Sequence, residues 1–384
     1  MAFKQVSSQV DFPALEEETL KYWEKHQTFK KSVANRKGKK SFVFYEGPPT
    51  ANGKPGIHHM MARSFKDLYP RYHTMKGEYC VRKGGWDCHG LPVEIEVEKK
   101  YKISGKKQIE QFGVEKFNEE CRKSVWEYIT DWTNLTKRIG YWIDLDDPYA
   151  TLDNKYVETC WWLLRQLWDK QLLEKDYKVT PYCPRCGTPL SSHELSLGYQ
   201  DIKEESVYVK FKLADEDAYL VAWTTTPWTL PGNVALAVDP NLEYIKVKHG
   251  NDYLILAKSR AEAVLGKDYS VEKEMKGKDL LGRKYAQLFN GIKYDKKSHI
   301  VVPADFVSKE DGTGIVHTAV MYGVEDFELG KREGLPTKHV VDAEGKFTNE
   351  VKGFAGMFVK DAEKEIIVWL VKKGALLKSE LVEH

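Results

Sequence analysis

The chain has 384 residues, 42% of them hydrophobic and 30% charged, which suits at least two packed cores and excludes a disordered or fibrous protein. Lysine and arginine (59) exceed aspartate and glutamate (57) by 2, too small a balance to mark the whole surface for nucleic acid, so any such surface is expected to be local. No run of about eighteen apolar residues occurs, and residues 1–10 lack the apolar core of a secretory signal, so a cytoplasmic protein with no membrane segment is expected.

In chain order, the basic clusters at residues 30–40, 99–107 and 293–297 read as solvated faces. Residues 41–45, Ser-Phe-Val-Phe-Tyr, form a short aromatic and β-branched run that suits a buried strand. Residues 46–59 follow as Glu-Gly-Pro-Pro-Thr-Ala-Asn-Gly-Lys-Pro-Gly-Ile-His-His. Pro48, Pro49, Gly53, Pro55 and Gly56 forbid regular structure, and a helix is expected from Ile57 to Met75. The free N–H groups at its start would attract anions, with two imidazoles beside them. Composition alone allows an ordinary Gly/Pro-rich loop equally well.

A second block, residues 85–94, reads Gly-Trp-Asp-Cys-His-Gly-Leu-Pro-Val-Glu. Beyond it Tyr156, Cys160, Leu163, Leu164 and Leu167 recur at helical spacing, a stripe expected to pack on a sheet as core.

Of the six cysteines, Cys80, Cys88, Cys121 and Cys160 are scattered and form no disulfide framework. Cys183-Pro184-Arg185-Cys186-Gly187 is a knuckle whose spacing turns both thiolates toward one tetrahedral ion, and zinc is the first reading. A redox dithiol is the rival, but no strand-and-helix pattern of the thioredoxin kind flanks it. A structural zinc needs four ligands. The chain has no second Cys-x-x-Cys, and His193 is either a third ligand or a surface residue.

From Ser206 the period changes to two: Val207, Val209, Phe211 and Leu213 alternate with Tyr208, Lys210 and Lys212. Further strands are expected at residues 219–225, 242–249, 299–303 and 314–318, and helices at residues 327–333 and 360–373. Residues 223–233 read Trp-Thr-Thr-Thr-Pro-Trp-Thr-Leu-Pro-Gly-Asn, and residues 312–319 Gly-Thr-Gly-Ile-Val-His-Thr-Ala. Taken alone, such threonines make a cross-strand ladder, and Asp326 would cap a helix starting at Phe327.

Together, residues 46–59 and 85–94 resemble the paired motifs of class I aminoacyl-tRNA synthetases, specifically the isoleucyl-tRNA synthetases; leucine and valine enzymes differ at the second block. The resemblance is collinear to the last residues. One departure stands out. Most class I enzymes carry His-x-Gly-His where this chain has Gly56-Ile57-His58-His59, as in a eukaryote-like subset of the isoleucine enzymes. Positions 56 and 59 share a helix face and 58 is rotated away. His59 is therefore the expected phosphate contact, and His58 is not expected to replace the missing imidazole on an unchanged backbone.

The resemblance implies an α/β fold: the first half of a Rossmann-type catalytic domain with N-terminal helices (residues 1–177), a zinc-knuckle connecting segment (178–205) and an inserted β-rich editing domain (206–384). It also implies ATP, with Mg2+, at Gly56, His58 and His59. Pro48 would line the isoleucine pocket and Asp87 would hold the substrate amino group, while Trp86 packs. Cys183 and Cys186 would be half of a structural zinc site. The implied partner is tRNA-Ile, and the protein a monomer.

Residues 223–233 and 312–319 look like the editing motifs of isoleucine, valine and leucine synthetases, with Asp326 where those enzymes carry an aspartate, although Val320-Met321-Tyr322 replaces a more usual Pro-containing turn. In that reading Asp326 fixes the ammonium of a misacylated ester, Thr224, Thr225 and Thr226 orient water and ester, and His317 is a wall that excludes isoleucine. Such a site is needed because one methylene in an apolar pocket is worth only about 1–3 kcal/mol, a limit for which isoleucine against valine on these enzymes is the standard illustration. No Lys-x-Ser-Lys occurs, so the sequence reads as an N-terminal portion without the second half of the synthetic site. The expected function is isoleucine-tRNA ligation with hydrolytic editing of Val-tRNA-Ile. The alternatives are a stand-alone editing hydrolase and a non-catalytic tRNA- or zinc-binding module.

Overall fold

The computed structural model describes residues 9–196 and 198–383, apart from the His193 side chain, so the ligand role considered for His193 lies outside the described residues. The chain divides into two compact units between Asp176 and Tyr177.

The first unit begins with α1 (Phe12–His26) and α2 (Thr28–Ala34), followed by α3 (Ile57–Met75), which has the bounds expected from its sequence. Then come β1 (Lys83–Trp86), four helices α4 (Leu91–Tyr101), α5 (Lys106–Phe112), α6 (Val114–Glu127) and α7 (Ile129–Arg138), β2 (Asp144–Ala150) and α8 (Asn154–Asp169). β1 and β2 are parallel, with Trp86 opposite Ala150. A Cβ at Gly85 would stand 2.3 Å from the Tyr149 ring, so this close pairing requires glycine. Residues 41–50 also run parallel to residues 79–87, with bridges from Ser41 to Tyr79 and from Thr50 to Asp87. Helices thus cross between parallel segments in the α/β manner. Ala51, Trp86, Val93, Val125, Trp132 and Ala150 fill the core between them.

Two expectations are corrected. Residues 41–45 are extended but form no buried strand: Val43 is 66% and Tyr45 88% exposed. Pairing stops after one bridge, and Pro48 and Pro49 bring no N–H to a ladder. The stripe on α8 is not core either, because Tyr156, Leu163, Leu164 and Leu167 are all exposed. Trp161, Trp162 and Trp168 are exposed on the same helix, which widens its apolar face, while Lys155, Glu158, Thr159, Arg165 and Gln166 hold the opposite side. Periodicity reported its amphipathic spacing but not a partner. Among the described residues, Tyr156 is the one side chain of this helix in ring contact, stacked 5.8 Å from Tyr149.

The second unit opens with a small hairpin, β3 (Tyr182–Cys183) and β4 (Thr188–Pro189), and α9 (Ser192–Ser196). Strands β5 (Lys203–Lys212), β6 (Tyr219–Thr224), β7 (Ala235–Val238), β8 (Glu243–His249) and β9 (Asp252–Ala257) follow, then α10 (Ala261–Leu265), β10 (Ser270–Lys276), β11 (Ile300–Pro303) and β12 (Val316–Thr318). α11 (Val324–Glu333), α12 (Val359–Lys372) and β13 (Leu376–Glu383) complete it. β5 to β13 build one nine-stranded mixed sheet. β7 and β9 escaped the sequence reading because both are short and buried on both faces, so neither alternates.

The branching of this sheet positions the site. β5 takes one edge of β6. β9 pairs at Tyr219 and Leu220, and β12 at Trp223. β12 also pairs with β7, setting His317 opposite Leu236 and Thr318 opposite Ala235. The end of β6, with its threonines, therefore lies against the strand that carries His317. Among the described residues no helix is long and apolar enough to cross a membrane.

Candidate functional site

In the first unit, Gly56 stands at the N-terminal cap of α3 in an extended conformation. Its backbone N–H donates to Nδ1 of His59 at 3.0 Å, which leaves the proton of the neutral imidazole on Nε2. Burial, followed by the charges of His58 and Arg63, lowers the His59 pKa below its ordinary value. The side chain is thus a neutral donor at the start of a helix. His59 packs edge-on against Trp132 (4.6 Å between ring centroids), and Nε1–H of Trp132 donates to the Gly53 carbonyl at 2.8 Å. One indole therefore ties the Gly/Pro-rich loop to the helix.

Although helical spacing rotates position 58 away from 56, the His58 ring lies close to Gly56. Its Nδ1 and Cε1 lie 3.0 Å from the position a Cβ on residue 56 would take, and its ring is 3.8 Å from that of His59. Helical side chains tilt back toward the N-terminus, so the His58 ring folds over Gly56 into the space that a side chain there would need.

Asp87 is tied to the loop that carries Pro48, because its N–H donates to the carbonyl of the following residue, Pro49, at 3.0 Å. Trp86 is 3% exposed and packs in the core. Glu46 went unread in the sequence. It is buried, with its carboxylate accepting from Lys66 Nζ at 2.9 Å and from the Tyr141 hydroxyl at 2.6 Å, and so pins the loop entry beneath α3.

In the second unit the threonine motif closes into a continuous network. Oγ1 of Thr224 lies 3.2 Å from Oγ1 of Thr226 and accepts the Thr226 N–H at 3.1 Å. Thr226 Oγ1 is 3.4 Å from Thr229 Oγ1, and Thr229 is 3.0 Å from Nε2 of His317. Nδ1 of His317 faces the Asn233 amide nitrogen at 2.8 Å, and Asn233 Oδ1 accepts from the Tyr285 hydroxyl at 2.7 Å. Burial lowers the His317 pKa to about 4, so the ring is neutral. Both its nitrogens are occupied, which suits a wall and leaves no free base. Thr225 is half-buried and makes no hydrogen bond among the described residues, so its hydroxyl is available.

Asp326 does not cap a helix that starts at Phe327. α11 begins at Val324, and the Asp326 carboxylate reaches back to accept the Ala319 N–H at 2.9 Å, just beyond the strand of His317. Burial raises its pKa to about 6. A carboxylate that is uncomfortable in its pocket gains most from a cation.

A cavity of about 780 Å³ in this unit is lined by Trp228, Tyr322, Phe327, His339 and Tyr182 among others. Trp228 and Tyr322 meet edge-to-face at 5.3 Å, and Phe327 follows Asp326 directly. The cavity therefore adjoins the threonine motif at Trp228 and, at Phe327, the helix that carries Asp326.

Cys183 and Cys186 sit on the β3–β4 hairpin, turned by Gly187 at φ 67°, with the Gly187 N–H donating to the Cys183 carbonyl at 2.8 Å. The hairpin has the form of a knuckle. Among the described residues, however, no group of three or more His, Cys, Asp or Glu could hold a metal, so these donors do not make a complete zinc site.

Thr229, Asn233 and Tyr285 belong to the network around His317 although the sequence assigns them no role. Thr229 and Asn233 stand inside a motif that was read, whereas Tyr285 carries no sequence signal.

The family described as tRNA synthetases class I (I, L, M and V) matches residues 18–379. Two curated relatives, isoleucine–tRNA ligases of Clostridium novyi and Thermus thermophilus, are each 49% identical, over 383 and 388 residues, covering 100% of this chain. The chain spans 37% of the length of each. A solved P. knowlesi cytosolic leucyl-tRNA synthetase editing domain is 14% identical at a TM-score of 0.35, covering 47% of this chain and 97% of that one.

Proposed function

The chain belongs to the class I tRNA synthetases of the I, L, M and V group, and from that premise we propose that it is part of an isoleucine–tRNA ligase whose first unit holds ATP and isoleucine and whose second unit hydrolyses Val-tRNA-Ile. The names and 49% identity of the relatives support the amino acid.

In the first unit, Gly56, His58 and His59 would meet the phosphates of ATP, which enters with Mg2+ as substrate. The open helix start and the Nε2–H donor of neutral His59 support that role. Pro48 would line the side-chain pocket and Asp87 would hold the amino group of isoleucine.

The observation that carries the hydrolytic reading is the joined Thr224–Thr226–Thr229–His317 network beside the buried Asp326. An aminoacyl ester is already activated, so hydrolysis needs an oriented water and a fixed ester more than a strong nucleophile. The chain's residues divide that work. Asp326 binds the ammonium, Thr225 and its neighbours orient water and carbonyl, and His317 fills the space a larger isoleucine side chain would need. The aromatic cavity beside Asp326 suits the base of the terminal nucleotide, since such rings stack bases of any identity. Cys183 and Cys186 would contribute two thiols to a zinc; among the described residues no third ligand stands with them.

Hydrolysis of Val-tRNA-Ile by the purified chain tests this. Thr225→Ala and Asp326→Ala are each expected to remove most of the activity with an unchanged circular dichroism spectrum. Undiminished activity in both variants would overturn the assignment.

A further inference from the structure

We propose that Tyr285 and Asn233 are positioning residues of the hydrolytic site, which act by fixing the tautomer of His317. The inference rests on the editing reading of the second unit and adds the device that holds its wall in place.

The proton count carries the argument. Asn233 Nδ2 lies 2.9 Å from the Ala235 carbonyl oxygen, which can only accept, so this atom is the amide nitrogen and the carboxamide cannot be reversed. The other end, Oδ1, receives the Tyr285 hydroxyl at 2.7 Å. The second amide hydrogen of Asn233 points to His317 Nδ1 at 2.8 Å, so Nδ1 accepts and the neutral ring carries its proton on Nε2. That proton goes to Thr229 Oγ1 at 3.0 Å, and the Thr229 proton goes on to the Thr226 carbonyl at 2.8 Å. Each proton has one destination, from a phenol to the turn that carries the threonine motif. In the other tautomer, Nε2 would accept, draw the Thr229 proton away from Thr226 and release that turn.

Tyr285 is built in as an anchor. It is 3% exposed, and burial holds its phenol pKa well above the ordinary value, so the hydroxyl remains a donor. His299, left-handed at φ 57°, packs edge-on against it at 5.7 Å and donates its backbone N–H to Val234 at 2.6 Å. Strained backbone of this kind persists where its surroundings over-determine it. Without the phenol, Asn233 Oδ1 would be left unpaired and could turn to accept an Nδ1–H from His317 instead.

The test is long-range ¹H–¹⁵N correlation of the histidine-labelled chain, with His317 assigned from its own Gln variant. Wild type should show unprotonated Nδ1 and protonated Nε2, whereas Asn233→Ala and Tyr285→Phe should each show both tautomers. An Nδ1–H tautomer in wild type, or a single Nε2–H tautomer in both variants, would overturn the proposal. If Asn233→Ala does not fold, Tyr285→Phe, which deletes one oxygen, decides alone. Kinetics give a second arm. Asn233→Ala should lower kcat for Val-tRNA-Ile about tenfold, one hydrogen bond's worth of orientation. It should have no further effect in a His317→Gln background, whose amide supplies the donor to Thr229 without a tautomer. Equal losses in the two backgrounds would contradict the proposal. Because the spectroscopic arm needs no turnover, a wild-type chain without deacylase activity would sink the editing reading while leaving the tautomer result to be judged by itself.

Discussion

The Asp326 carboxylate accepts the backbone N–H of Ala319 at 2.9 Å, tying an acid in the first turn of α11 to the chain just beyond His317. That bond lowers its pKa, yet burial outweighs it and leaves the group at about 6. If Asp326 holds the substrate ammonium, Val-tRNA-Ile deacylation rises with pH through about 6 and then levels. Asp326→Asn keeps the acceptor for Ala319 but loses the charge. It should be slower by about 10- to 100-fold, the range for a charge-assisted hydrogen bond, with no rise near that pH.

The same carboxyl makes a stability prediction of opposite sign. Its folded pKa of about 6 exceeds the ordinary 3.8, so its stabilising contribution is complete below 3.8 and is lost as pH rises through about 6. In urea titrations Asp326→Asn should be more stable than wild type well above pH 6 and show no such gain in acid.

His317 and His299 titrate the other way. Burial lowers both from 6.5 to about 4, so the stability they contribute is present above pH 6.5 and is lost as pH falls from 6.5 toward 4. Asp326 opposes this loss only in part, being one group against two. The denaturation midpoint of the second unit should fall across that window, and His317→Gln should flatten the fall. A midpoint constant from pH 7 to pH 4 would contradict the burial of both rings.

The indole of Trp132 holds the loop before α3 through one hydrogen bond to Gly53. Trp132→Phe keeps a ring beneath His59 but loses that donor. It should destabilise the first unit by about 1 kcal/mol and speed amide exchange in residues 50–56. Unchanged exchange there would mean that the prolines alone set the loop.

Purified chain should hold zinc below one equivalent, because the described residues bring two thiols to a four-ligand ion. Elemental analysis after mild chelation checks this. One tightly held zinc per chain would show that another group completes the site.

Much of this was legible in the sequence because it is local. The bounds of α3 follow from helix formers running between Gly56 and Gly77, and β5 announces itself by alternation from Val207 to Phe211. Asp326 and the threonines were readable through the resemblance. What stayed hidden depends on partners far along the chain. Trp132 meets Gly53 across 79 residues and Tyr285 meets Asn233 across 52, with no local mark on either. The place of the His58 ring was hidden because a helical wheel presumes helical backbone at both positions, whereas Gly56 is the extended N-cap of α3. The stripe on α8 was misjudged because spacing describes a face and not what covers it.

The most direct test of the account is the hydrolysis of Val-tRNA-Ile and Ile-tRNA-Ile, side by side, by the purified chain and its His317→Ala variant. The wild-type chain should hydrolyse the valyl ester and spare the isoleucyl one, and the variant should attack both, because removing the ring removes a steric rejection. Absence of valyl-ester hydrolysis by the wild type, or a His317→Ala variant that still spares isoleucine, would contradict it.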